Sequence, residues 1–287
     1  ISERARAGPA PARGAAPMFD LIAEMFSYQF LVRAASVGLM VSLCSALLGV
    51  SLVLKRYSMI GDGLSHVGFG ALAAAVAMGA SPLGITIPVV VAAAVLLLRL
   101  TDGSGIKGDA AIGLISVSSL AAGVTAISLS GGINTDICNY MFGSILAMSK
   151  SDVRLSIASS AGVLLLFLLC YNRIFAVTFD EDFARATGVE AGLCNMVIAV
   201  LTGVTIAVGM RLMGALLISG LIIFPAVTSM RFFKSFRGVV FTAAVVSLSS
   251  FLVGLVLSYT ASMPAGASIV LVNLAFFLIF TAAGRLR

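Results

Sequence analysis

Nine stretches of this chain are each long and apolar enough to cross a bilayer, and they follow one another with little between them. They lie near 30–54, 61–79, 83–100, 109–129, 153–171, 193–210, 212–230, 239–258 and 266–284, against a need of about 20 residues per helical span. Several boundaries run together, so eight or ten spans fit as well, and the expected fold is an all-α polytopic transmembrane helical bundle of about 8–10 spans. Composition agrees: 60% of residues are hydrophobic and 10% charged, where a soluble domain carries about 25% charged residues. No interval is long enough for a separate soluble domain, which leaves 18–287 as a single transmembrane domain in a lipid bilayer.

The net charge of +6 matters through its placement. Basic residues stand at Lys55 and Arg56, at Arg231, Lys234 and Arg237, and at Arg285 and Arg287, whereas the loops near 79–82 and 259–265 are uncharged. The positive-inside rule puts the C-terminus, the 231–238 loop and 172–192 in the cytosol, and 131–152 and the N-terminus outside, although Arg4, Arg6 and Arg13 argue against the last placement. These charges are topology signals, and no nucleic-acid partner is expected. Residues 1–17 have no apolar core and read as a disordered leader or a cloning remnant, with Met18 a candidate natural start. Cys44, Cys138, Cys170 and Cys194 are scattered, with no C-x-x-C, and fit neither a disulfide framework nor a zinc knot.

Asp62 and His66, the chain's single histidine, share one face of a helix at i and i+4. An acid at the centre of a span costs about 2.5–3.5 kcal/mol. Together the two side chains can reach one divalent ion, since zinc, iron and manganese accept mixed oxygen and nitrogen donors. Two ligands are too few; Asp109 and Asp136 are the other acids nearest to spans. A neutralised structural contact, a proton relay and a helix cap at Asp62 compete with the metal reading on spacing alone.

The 29 glycines cluster within spans, as at Gly61, Gly63, Gly68 and Gly70, and permit either close helix packing or helix breaks. The 131–152 segment encloses a short amphipathic piece. In "FDEDFARATGVEAG" (179–192) Asp180 is a helix-start signal, acids occupy the first turn, and Gly188 is positioned as a C-cap. That cytosolic helix is either an ordinary connection or a docking surface for a soluble partner. No G-x-x-x-x-G-K-[ST] is present, "GSGIKGD" (103–109) having the wrong spacing, so the chain has no P-loop of its own. Ser65 beside His66 lacks the G-x-S-x-G elbow of a hydrolase.

"LLGVSLVLKRYSMIGDGLSHVGFGALA" (47–73) resembles the opening of the metal-ion permease family of ABC transporters. The similarity continues in order through "DAAIGLISVSSLAAGVTAISLSGG" (109–132), "MFGSILAMSKSDV" (141–153), "FDEDFARATGV" (179–189), "RLMGALLISGLIIFPAVTSMRF" (211–232) and "MPAGASIVLVNLAFFLI" (263–279). The resemblance implies the membrane subunit of an importer of zinc, manganese or ferrous iron in the cytoplasmic (inner) membrane of a prokaryote. It further implies a homodimer of permease subunits, a cytosolic ATP-binding-cassette ATPase that hydrolyses the ATP, and an extracytoplasmic metal-binding protein. The subunit itself would be no enzyme and hold no permanent cofactor. On the same ground Asp62 and His66 become the metal site. Asp180, Glu181, Phe183, Ala184, Arg185 and Gly188, in a coupling helix at about 179–190, become the ATPase contact. Gly61, Gly68, Gly70 and Pro225 become helix breaks lining the path. Many members read S-H-A-x-x-P-G where this chain has "SHVGFGA". The chain near 57–63 is expected to be non-helical and within the bilayer. A metal-chelate (siderophore-type) permease and an ion-coupled secondary metal transporter are the alternatives.

Overall fold

A computed structural model of the chain describes residues 27–103, 108–129 and 150–285. The leader at 1–17, Met18, the amphipathic piece within 131–149, Asp136 and Cys138 lie outside these residues. Ten helices are described: α1 Gln29–Leu54, α2 Ile60–Ala77, α3 Pro82–Gly103, α4 Gly108–Leu129, α5 Lys150–Phe179, α6 Glu181–Ala186, α7 Ala191–Met213, α8 Ala215–Met230, α9 Phe236–Ala261 and α10 Ala265–Arg285. No strand occurs among the described residues. Seven of the helices are long and apolar enough to cross a membrane. α2 and α8, with 18 and 16 residues, are shorter, at roughly 27 and 24 Å. Each of the nine expected stretches corresponds to one long helix, and α6 is the short tenth.

The arrangement follows from which helices are apolar all round. In α1 and α7, 72% of the most apolar stretch is buried, against 28% in α3, α4, α5 and α10, so α1 and α7 form the centre and the others meet lipid. α1 packs on α5, α8 and α9; α7 packs on α3 and α5; α2 lies between α3 and α4. The core joins Val37, Val41 and Leu48 of α1 to Phe167 of α5, Ile206 of α7, Leu217 and Leu221 of α8, and Ile269 of α10. Without a hydrophobic drive between helices in lipid, close approach at small residues and interhelical hydrogen bonds must hold the bundle. Both occur here. A Cβ on Gly49 would lie 2.2 Å from the Ile222 carbonyl oxygen, and Ser247 donates from α9 to the Ser42 carbonyl of α1 at 2.9 Å.

Lys55, Arg231 and Arg237 lie at one end of the bundle, whereas Arg33, Arg154 and Arg211 lie toward the other. Lys55 at the end of α1 meets Glu181 of α6, Phe236 at the start of α9 stacks on Phe175 and Phe179 at the end of α5, and Gly284 approaches the Arg231 carbonyl. Lys55, Arg231, Arg237 and α6 therefore share the end that the positive-inside rule assigns to the cytosol. The chain reverses at the far end between α7 and α8 through a single residue, Gly214, at φ 84°, a left-handed conformation that glycine adopts without penalty.

Candidate functional site

Asp62 stands in the first turn of α2 and His66 one turn further on. Their closest atoms, Asp62 Oδ2 and His66 Nε2, are 3.7 Å apart, with the Asp62 side chain 49% exposed and His66 22% exposed. The glycines around them decide which way this face looks. A Cβ on Gly61 would meet Ile222 and Ser219 of α8, and one on Gly63 would meet Ile112 of α4. Successive helical residues are about 100° apart, so Asp62, between these two contacts, looks out between α4 and α8. Ser65, by contrast, is buried and donates its hydroxyl to the Gly61 carbonyl at 2.6 Å, so it is turned away from nucleophilic work with His66.

Two expectations about this region need correction. The chain from Tyr57 to Met59 is non-helical, but α2 begins at Ile60, so Gly61, Asp62 and Gly63 are helical. Ile60 lines one cavity with Glu181, while Gly61 packs against Ser219 and Ile222 in the first half of α8. Nor do Gly61, Gly68, Gly70 and Pro225 break their helices: α2 and α8 run through them without interruption. The glycines serve close packing. A Cβ on Gly68 would lie 2.8 Å from Met210 Sδ of α7, and one on Gly70 2.7 Å from the Ser119 carbonyl oxygen of α4. Pro225 removes one N–H from α8, and Ser229 donates back to its carbonyl at 2.7 Å.

Among the described residues, no group of three or more His, Cys, Asp or Glu side chains is placed to hold a metal. Asp109 opens α4 and does not join the pair. Asp62 and His66 thus offer two donors on an open face.

The second cluster is α6. Asp180 caps it, accepting from the Phe183 N–H at 2.9 Å, which satisfies one orphan donor of the first turn. At the other end Gly188 takes φ 83°. Its N–H donates to the Arg185 carbonyl at 3.1 Å and that of Val189 to the Ala184 carbonyl at 2.9 Å, the paired bonds of a Schellman motif. Ala184 is buried, while Phe183 projects into solvent at 65% exposure. Glu181 and Arg185 are joined at 2.6 Å. Sequence reading missed the groups that α6 grips, Lys55 and Asn195. A lysine ending an apolar helix and an asparagine opening another were visible signals, but their pairing with Glu181 spans 126 and 14 residues.

The ABC 3 transport family matches residues 27–284. The chain belongs to that family. Among its similar proteins are the high-affinity zinc uptake system membrane protein ZnuB of Haemophilus influenzae, 28% identical over 88% of this chain and 97% of that one, and the manganese import system permease protein ScaB of Streptococcus gordonii, 26% identical over 91% and 93%. A probable iron transport system membrane protein of Haemophilus influenzae is 30% identical over 94% of this chain and 99% of its own length. The structure of PsaBC from Streptococcus pneumoniae in complex with Fab contains a chain of the same fold, with a TM-score of 0.81 and 28% identity, covering 92% of this chain and 95% of that one. As a member of the ABC 3 transport family, this chain has the α2 pair and the α6 helix on the two sides of one basic-end turn.

Proposed function

We propose that this chain is the permease subunit of an ATP-driven importer of divalent metal ions, in which Asp62 and His66 receive the ion. The observation that carries the reading is the Asp62–His66 pair on an open face of a helix within a lipid-embedded bundle. At metal–ligand distances of about 2.1 Å, tetrahedral coordination separates two donors by roughly 3.4 Å, close to the 3.7 Å between Asp62 Oδ2 and His66 Nε2. A carboxylate half exposed on such a bundle is poorly matched to lipid, which favours a second copy of the chain covering this face and completing an aqueous path. An incomplete ligand set also suits cargo, which has to leave again.

The partners follow from the same reading. A chain without a P-loop needs a separate ATPase, and α6, capped at both ends with Phe183 exposed, is the surface for it. An external binding protein would load the ion from the far side. The uptake and import systems among the relatives favour the inward direction, and their zinc, manganese and iron leave three candidate cargoes. The test is competitive uptake of zinc, manganese and ferrous iron by cells with and without this chain. Asp62→Asn and His66→Gln, at wild-type abundance in the membrane, should each lower uptake at least about tenfold, the low end of what losing even an outer-shell partner of a metal ligand costs. Undiminished uptake in both variants would refute the role of the pair.

A further inference from the structure

Glu181 fastens the short cytosolic helix to two spans at once. Its Oε2 accepts from Lys55 Nζ at 3.3 Å and from Asn195 Nδ2 at 3.1 Å, while Lys55 donates to Asn195 Oδ1 as well. Lys55 is the C-cap of α1 and Asn195 lies near the start of α7, the two helices at the centre of the bundle. The Lys55 and Glu181 side chains are 13% and 33% exposed, so water and salt screen their attraction only in part.

α6 follows α5 through the single residue Asp180, whose N–H donates to the Ala176 carbonyl at 3.1 Å. A six-residue helix is far too short to be stable alone. Its apolar anchorage is Ala184, in a small cluster with Val177, Ala191 and Cys194. The three-way contact of Glu181 is the polar side-chain connection from α6 to α1 and α7.

The other side of this joint leads to the metal face. Past Lys55 the chain turns through Arg56, at φ 63°, with the Tyr57 N–H bonded to the Leu52 carbonyl at 2.8 Å. It then enters α2, whose first turn holds Asp62. A cavity of about 330 Å³ adjoins the joint, with Lys55, Glu181, Asn195, Tyr57 and Ile60 in its lining. Close-packed interiors resist displacement; here a shift of the joint meets open space on the side of α2.

We infer that Glu181 is a positioning residue: through Lys55 and Asn195 it transmits displacement of α6 to the α1–α2 turn that carries Asp62. The inference rests on the permease reading above. On this reading Glu181, engaged with Lys55 and Asn195, faces the spans and is not itself an ATPase contact, which falls to the exposed Phe183. Without the tie α6 keeps its caps and Phe183, so an ATPase still docks and hydrolyses ATP, but the movement is not delivered to α2.

The experiment uses the chain purified in complex with its co-purifying ATPase and rebuilt into proteoliposomes, with zinc, manganese and ferrous iron as separate probes. Ions moved and ATP hydrolysed are measured together. The expected result is that Glu181→Ala and Lys55→Met retain the ATPase and its hydrolysis while ions moved per ATP fall about tenfold. The Glu181→Ala/Lys55→Met double variant should be no worse than either single one, as for residues acting as a unit. Glu181→Gln, whose amide oxygen still accepts from Lys55 and Asn195, should recover part of the loss. Unchanged ions per ATP in the single variants, multiplicative losses in the double, or failure of the variants to retain the ATPase would each overturn the inference. A wild-type complex that moves no metal on ATP would instead overturn the permease reading.

Discussion

Gly70 of α2 and Gly123 of α4 lie back to back: a Cβ on Gly123 would stand 2.7 Å from the Gly70 Cα, and one on Gly70 would stand 2.7 Å from the Ser119 carbonyl oxygen. Backbone atoms cannot swing aside as a side chain can, so any larger residue pushes the two helices apart. Gly70→Val should cost about 1–3 kcal/mol, as overpacking does elsewhere, and should lower the melting temperature of the purified protein. Gly113→Ala in the same α4 is the control, since its Cβ meets nothing within 4 Å. It should be neutral or gain up to about 1 kcal/mol from reduced chain entropy. Equal melting temperatures for Gly70→Val and wild type would show that the contact is not tight.

The nine apolar helices were legible because a bilayer sets a length and hydropathy requirement that a single sequence displays, and seven of them meet it in full. α1 was expected at 30–54 and lies at Gln29–Leu54. α5 was expected to stop near 171 and runs to Phe179. Hydropathy falls at Asn172 and Arg173, but Ile174 and Val177 are buried and Phe175 and Phe179 stack on Phe236, so tertiary packing extends the helix past its apolar run. Gly61, Gly68 and Gly70 were read as breaks because glycine serves flexible and crowded backbone alike, and the neighbours that decide between these come from α4, α7 and α8. Asp62 and His66 stood out as rare polar residues in an apolar run. Lys55 and Asn195 did not, because their importance arises only when distant helices bring them to Glu181.

Asp152 of α5 and Arg211 of α7 form the corresponding tie at the opposite end, at 3.0 Å, with both side chains 16% exposed. Removing one member leaves a poorly solvated charge, which costs about 3 kcal/mol or more, whereas removing both is far milder. Arg211→Met should therefore lower the melting temperature more than Arg211→Met combined with Asp152→Asn. A double variant as unstable as the two single losses added together would mean that the ion pair is not an energetic unit.

The Asp180 cap sets the order of α6. Its carboxylate accepts from the Phe183 N–H, and Asp180→Ala should weaken the helix by about 1 kcal/mol, roughly a fivefold change in a local opening equilibrium. Amide exchange at Phe183 should speed up by that factor while exchange in the middle of α7 stays as it was. Exchange accelerated equally in both places would point to global unfolding instead of a local cap.

Glu181 should make α6 sensitive to acid. Burial on its own raises the carboxyl pKa, but the hydrogen bond from Asn195, the Lys55 charge and hydrogen bond, and the Arg185 hydrogen bond outweigh it and hold the group below its ordinary 4.5. A depressed folded pKa stabilises the folded arrangement fully above the unfolded value, and that stabilisation disappears as pH falls through the folded one. Acid would leave Lys55 and Arg185 charged around a neutral acid. The chain has no tryptophan, so Phe183→Trp introduces a single reporter on the exposed face of α6. Its emission should be steady between neutrality and about pH 5.5 and then shift below about 4.5. The Glu181→Gln version of the reporter should lose that transition. Identical acid transitions in the two proteins would remove Glu181 from its place as the charge that holds α6 to the spans.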